Sequence, residues 1–358
     1  MKKSIHPSRG ALLCAMILFA TPGCRPDSSA GLPRSVDPLP GETRLSNLRM
    51  LTDAGQNAEA YFSFDESRLV FQAKTGDMGC DQIFSMNLSG GDVRRISSGE
   101  GATTCAYYLP GDERIVYAST HAAGPDCPPE PDRSQGYVWQ LYDSYDIYSA
   151  DASGGEVRRL TDAPGYDAEA TVSPQGDKIV FTSMRDGDPE LYLMDLDGGN
   201  QTRLTFAKGY DGGAFFSPDG KRLIFRASRP ETPEQLRVYT ELVEKQYVRP
   251  TELELYVMNV DGTGLRKITN YGRASFGPFF HPDGERVIFS SNMQSENPRN
   301  FDLYIVGVDG QGLERITHNE TFDGFPMFTR DGRRLVFASN RHNKQRGDTN
   351  IFIADWNE

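Results

Sequence analysis

The chain has 358 residues, 37% hydrophobic and 25% charged, enough apolar material for a sizeable core, which excludes a wholly disordered chain. A formal net charge of -12 argues against a nucleic-acid binder, which needs a basic face, and leaves cationic or neutral ligands. Thirty-six Gly and 22 Pro suit many short strands joined by tight turns.

Lys2, Lys3 and Arg9 precede an apolar run from Ala11 to Ala20, and small residues follow up to Cys24. This order predicts an export signal over 1–24. The run is shorter than the roughly 20 residues that a permanent membrane helix needs. Gly23-Cys24 resembles the cleavage box of bacterial lipoproteins, with Thr21 where that box usually carries Leu, so Cys24 is the expected lipidation site. The stretch 25–41 is Pro-rich without apolar period and reads as a flexible tether. Together these predict an exported protein, periplasmic or held at the outer membrane as a lipoprotein, touching the membrane through its lipid alone.

From 42 to 358 one unit recurs. Its closing hydroxyl residue stands at Thr52, Ser97, Thr161, Thr205, Thr269 and Thr317, at intervals of 45, 64, 44, 64 and 48. Removing insertions of about 20 residues, near 122–144 and 230–253, leaves the period of a four-stranded propeller blade. The turn after the first strand recurs as SFDE, LPGD, SPQG, SPDG, HPDG and TRDG. An aromatic follows at fixed spacing on the second strand: Phe71, Tyr117, Phe181, Phe225, Phe289 and Phe337. The third strands, QIFSMN, DIYSAD, ELYLMD, ELYVMN, DLYIVG and NIFIAD, carry an aromatic at their third position, and the alternation places these side chains between blades. The last repeat reaches Glu358 without a fourth strand, whereas Leu48–Thr52 reads as a fourth strand with no first strand before it. These observations predict an all-β, six-bladed propeller closed by an N-terminal strand joining the last blade, removing an exposed edge.

The phrases FSPDGKRLIF from Phe216 and ELYVMNVDGTGLRKIT from Glu254 resemble the TolB-type, WD-like propeller repeat. The resemblance covers Arg44 to the C-terminus and implies the architecture; a role in envelope integrity is not carried over with it.

Strand direction puts both insertions and the blade-to-blade connections on one face, called upper here, with the SPDG-type turns on the lower face. Variable loops on a rigid scaffold are where binding concentrates. In the first insertion, Tyr137, Trp139 and Tyr142 need packing or a partner, with blades one and two the expected support. In the second, Thr232-Pro233-Glu234-Gln235 starts a helix whose stripe Leu236, Tyr239, Leu242 and Val243 docks on the rim.

Two rings of first-strand positions are expected at the channel mouth. One holds Asn57, Thr103, Asp167, Asp211, Ser275 and Asp323; the other, two residues on, holds Glu59, Cys105, Glu169, Gly213, Gly277 and Phe325. Converging carboxylates repel and raise one another's pKa unless a cation enters, which a Ca2+ ion, a Lys or Arg, or ordered water could answer. The alternative is that the Asp residues cap turn backbone. Arg185, Arg229 and Arg341, with His121 at the matching place, either present a ring of donors to a ligand or pair with the neighbouring Asp residues. Cys80, Cys105 and Cys127 supply one disulfide of undetermined pairing and a free thiol. A zinc site from these cysteines and His121 matches no known spacing.

Neither a Gly-x-Ser-x-Gly elbow, a His-Glu-x-x-His pair, a phosphate loop nor a dinucleotide fingerprint occurs. The sequence therefore reads as a monomeric, non-enzymatic propeller binding an envelope protein, peptide or glycan at its upper face and channel. The alternative is an envelope lyase or hydrolase using the channel carboxylates on a sugar or peptide.

Overall fold

The computed structural model describes residues 33–358, apart from 133 and 135. The export signal, Cys24 and the start of the 25–41 stretch lie outside the described residues. Six antiparallel sheets follow in chain order, with strands spanning 56–95, 103–159, 167–203, 211–267, 275–315 and 323–356. The first strand of each packs on that of the next, and the sixth on the first, which closes a six-bladed ring.

The expected N-terminal closure is present. Leu45–Met50 pairs with Asn350–Trp356 and supplies the fourth strand of blade six. The closing hydroxyl explains its own recurrence. It accepts a hydrogen bond from the second amide of the third strand at Ile83, Ile147, Leu191, Leu255 and Leu303, over 2.8–3.0 Å. In blade six, Thr52 accepts the equivalent bond from Ile351 at 2.9 Å, so the seam is locked like any other blade. Order begins before the boundary at 42 set by sequence. Arg34–Ser35 adds a further strand outside Leu45–Met50, and both oxygens of buried Glu42 accept from Arg341 at 3.0 Å.

The recurring aromatics of the second and third strands sit directly opposite one another. Phe71/Phe84, Tyr117/Tyr148, Phe181/Tyr192, Phe225/Tyr256, Phe289/Tyr304 and Phe337/Phe352 have ring centroids 5.7–6.2 Å apart. Each such pair adds on the order of 1 kcal/mol beyond its buried area and fixes the register of its blade.

Every first strand also carries one extra residue against its partner. In blade three Ala168 faces Thr182, but Thr171 already faces Val180. The extra residue is left-handed in all six blades: Glu59, Cys105, Glu169, Gly213, Gly277 and Phe325 have φ between 51 and 59°. A bulge of this kind bends the strand and breaks its two-residue alternation. Gly adopts that conformation freely, whereas the other four hold a side chain there at about 1 kcal/mol each.

The two insertions do not act separately. Trp139–Gln140 of the first pairs antiparallel with Tyr247–Val248 of the second, making a small sheet on the upper face. The Cys80–Cys127 disulfide ties the first insertion to the upper loop of blade one. The helix forms over Pro233–Val243 with the expected reciprocal Thr232/Gln235 cap, and Tyr239, Leu242 and Val243 are buried. Leu236, expected in the stripe, is 41% exposed, because the docked face turns toward blade three, where the Tyr239 hydroxyl donates to Asp188 at 2.8 Å.

Candidate functional site: the upper vestibule

The ring of left-handed residues lines the upper half of the channel, and just beneath it the channel is closed by side chains. Tyr61 of blade one meets Phe215 of blade four across the axis at 5.4 Å, with Tyr107 tilted against Tyr61 at 5.6 Å and Phe279 edge-on to Phe215 at 5.5 Å. The channel is thus two cups back to back, and the upper one is a dead-ended vestibule.

Of the five carboxylates expected to converge there, the three of the first ring do not. Asp167, Asp211 and Asp323 are fully buried and each is paired inside its own blade, with Arg185 at 2.9 Å, Arg229 at 2.5 Å and Arg341 at 2.7 Å. Burial raises the Asp167 and Asp211 pKa values against the pull of these arginines. The cause is the bulge, since Asp167 and Glu169 are two apart yet leave the strand in different directions. The arginines are equally fixed. Arg185 lies over Tyr192 at 4.7 Å, Arg229 over Tyr256 at 5.2 Å and Arg341 over Phe337 at 5.5 Å. Asp, Arg and aromatic form a staple repeated in three blades. In blade two His121 replaces the Arg, its Nδ1 2.7 Å from the Ser119 hydroxyl and its ring 4.3 Å from Tyr148; burial lowers its pKa.

Glu169 and Glu59 remain in the vestibule, and they differ. Glu169 is saturated. Its Oε2 accepts from the Thr182 hydroxyl at 2.7 Å, the Tyr210 hydroxyl at 2.8 Å and the Gly213 amide at 3.0 Å, and its Oε1 pairs with Arg226. Arg226 also donates to the Tyr210 hydroxyl at 2.9 Å and lies 5.1 Å over the Trp139 ring, which reaches in from the first insertion. Trp139 therefore covers blade four, and not blades one and two as the sequence suggested. The local sequence is built around this arginine, since a Cβ on Gly213 would stand 2.1 Å from its Nη1.

Glu59 forms no ion pair among the described residues and is part-exposed to channel space. The neighbouring Cys105 thiol favours its charged form through hydrogen bonding. Desolvation, set against that bond and the Arg226 charge, raises its pKa to about 7. Burial and the Glu59 and Glu169 charges push the Cys105 thiol well up, so it stays protonated and is a poor nucleophile. Blades five and six contribute aromatic side chains instead, with Phe276 5.5 Å from Phe325 and 4.8 Å from Phe301. The vestibule thus offers one available carboxylate, an aromatic side and an indole at its rim, a set suited to a cation carried on an apolar body.

Among the described residues no three His, Cys, Asp or Glu side chains are grouped to hold a metal ion. The cation that meets the vestibule carboxylates is Arg226, which sequence reading passed over. Its signal was a charge inside the otherwise apolar strand LIFRA. Of the three cysteines, Cys80 and Cys127 are bonded, with Cα atoms 5.8 Å apart, and Cys105 is free.

Comparison with known proteins agrees with this architecture. A family model of the tricorn protease N-terminal beta propeller domain matches residues 129–255. The Tol-Pal system protein TolB of Bordetella pertussis is 46% identical over 46 residues, which span 13% of this chain and 10% of that protein. The chain thus matches about a tenth of the length of its curated relatives. A putative TolB from Agrobacterium tumefaciens superposes with a TM-score of 0.55 at 19% identity, covering 85% of this chain and 91% of its own. The tricorn protease gives 0.52 at 18%, over 79% of this chain and 24% of its own. An oligogalacturonate lyase from Vibrio parahaemolyticus gives 0.51 at 14%, over 88% and 94%. At these identities the structural likeness establishes the propeller fold.

Proposed function

We propose that this protein is a non-enzymatic binding propeller of the bacterial cell envelope that takes a basic segment of an envelope protein or peptide into its upper vestibule. The observation that carries this reading is Glu59, a carboxylate without an ion-pair partner among the described residues, in the ring of left-handed positions that also holds Phe325. Burying an unpaired carboxylate is unfavourable, and an incoming ammonium or guanidinium relieves that while its stem packs on the Phe side. The TolB-like repeat supports placement in the envelope, and the export signal, with lipidation at Cys24, supports delivery there. Substituting Glu59→Gln and Trp139→Ala separately tests it. Both variants should keep the fold and lose partner binding at least about tenfold, the loss expected for a charge-assisted contact. Undiminished binding in Glu59→Gln would exclude the vestibule.

A second reading, an envelope lyase or hydrolase acting on a sugar or peptide, draws on the same residue, because a carboxyl with a pKa of about 7 is poised for general acid–base work. The two separate on product formation. Turnover of an envelope glycan or peptide by the wild type, abolished in Glu59→Gln, would favour catalysis over binding.

A further inference from the structure

The lower face ends in a cup of about 260 Å3, walled off from the vestibule by the Tyr61/Phe215 contact. Its floor is Tyr107, Phe215, Phe279 and Met327, and its rim carries Pro174, Pro218 and Pro282, the second residues of their turns. An apolar cavity of about 150 Å3 is known to admit a benzene ring, so this space suits one large apolar side chain. A long acyl chain would meet the aromatic floor.

One basic side chain stands at the rim. Arg330 takes the turn position that Pro holds in four other blades. Its guanidinium lies 5.1 Å over the Phe64 ring; burial raises the pKa of the Tyr107 hydroxyl, and the Arg330 charge offsets part of that rise. Its backbone amide donates to Glu66 Oε1 at 2.5 Å, which anchors the turn; among the described residues no carboxylate forms an ion pair with the guanidinium itself. The lip thus carries Glu66, tied to the turn backbone, and an arginine without an ion pair, so an apolar group that bears a carboxylate fits on the arginine side.

We propose that the lower cup is a second binding site, independent of the vestibule, that receives the C-terminal residue of a peptide chain. An apolar terminal side chain enters the cup and its α-carboxylate meets Arg330. This combination matches the site in charge and size together, since a chain terminus places a carboxylate within a few bonds of the side chain.

Calorimetric titration of the head with N-acetyl-phenylalanine, N-acetyl-phenylalanine amide and octanoate tests this. Saturable binding of the free acid is expected, at least about tenfold tighter than the amide and tighter than octanoate. Arg330→Glu, an exposed position whose melting temperature should match the wild type, should abolish the preference for the acid. Pro218→Trp should fill the cup and remove binding of both phenylalanine probes, while Glu59→Gln leaves it unchanged. Equal affinity for acid and amide, preference for octanoate, no saturable binding, or an acid preference that survives in Arg330→Glu would each overturn the proposal.

Discussion

At the residue scale, Glu59 makes the protein's stability depend on pH in a stated direction. Its folded pKa of about 7 lies above that of an unfolded glutamate, so the folded state holds the proton longer. Stability should therefore fall as pH rises from the ordinary carboxylate range to about 7 and then level off. The full shift corresponds to about 3 kcal/mol, and solvent in the open vestibule reduces it. Glu59→Gln should be more stable than the wild type at pH 8, by about 1–3 kcal/mol, and nearly equal to it at pH 4.5. Urea titrations across that range check this; parallel stability curves would count against it. Binding of a cationic ligand should strengthen over the same pH interval, because only the ionised carboxylate attracts it.

Gly213 tests the arginine bridge. It is left-handed at φ 59°, and an added methyl would collide with Arg226 Nη1. Gly213→Ala should cost more than about 1 kcal/mol and release Arg226 from Glu169. The same substitution at Gly187, which is also left-handed but has open space around it, should cost only the backbone term. A matched loss at both sites in denaturant melts would show that Arg226 contributes nothing at Gly213.

At the scale of elements, the scaffold was legible because its chemistry repeats. The closing hydroxyl at Thr205 or Thr317 answers one amide in every blade, and Phe181 faces Tyr192 as Phe289 faces Tyr304, so spacing alone reported them. The site was less legible. A left-handed bulge is signalled by Gly, yet four of the six positions hold Glu, Cys or Phe, and the alternation rule then misassigned Asp167, Asp211 and Asp323 to the channel. The pairing of Trp139–Gln140 with Tyr247–Val248 joins segments of different blades, and neither two-residue strand carries a pattern of its own. The disulfide that pins this roof spans 47 residues. Chain-entropy arguments assign such a link about 4 kcal/mol as an upper figure. Cys127→Ser should lose about 2–4 kcal/mol and increase proteolysis within 122–144, where Tyr137 is already exposed. Cys105→Ser should leave that loop's resistance unchanged.

At the scale of the whole molecule, one strand determines whether the ring is a ring. Leu45–Met50 brings Leu48 and Met50 into the core shared with Phe337 and Phe352, and Thr52 completes the seam. Removing residues 42–52 would expose the edge of Asn350–Trp356 and take two bonds from buried Arg341, leaving it Asp323 and Ser339. The deletion should lower the melting temperature of all six blades in one cooperative transition. Separate melting of blade six would show that closure is local. The closed ring also gives the two cups their independence, with the aromatic plug between them as a rigid partition.

The central claim, a cation-accepting vestibule on the upper face, is tested most directly by co-purifying envelope proteins at pH 8 with the wild-type head and with Glu59→Gln, both verified as folded. The account predicts that a partner held by the wild type is lost from Glu59→Gln and weakened for the wild type at pH 5.5. Identical partners recovered by both heads at both pH values would contradict it.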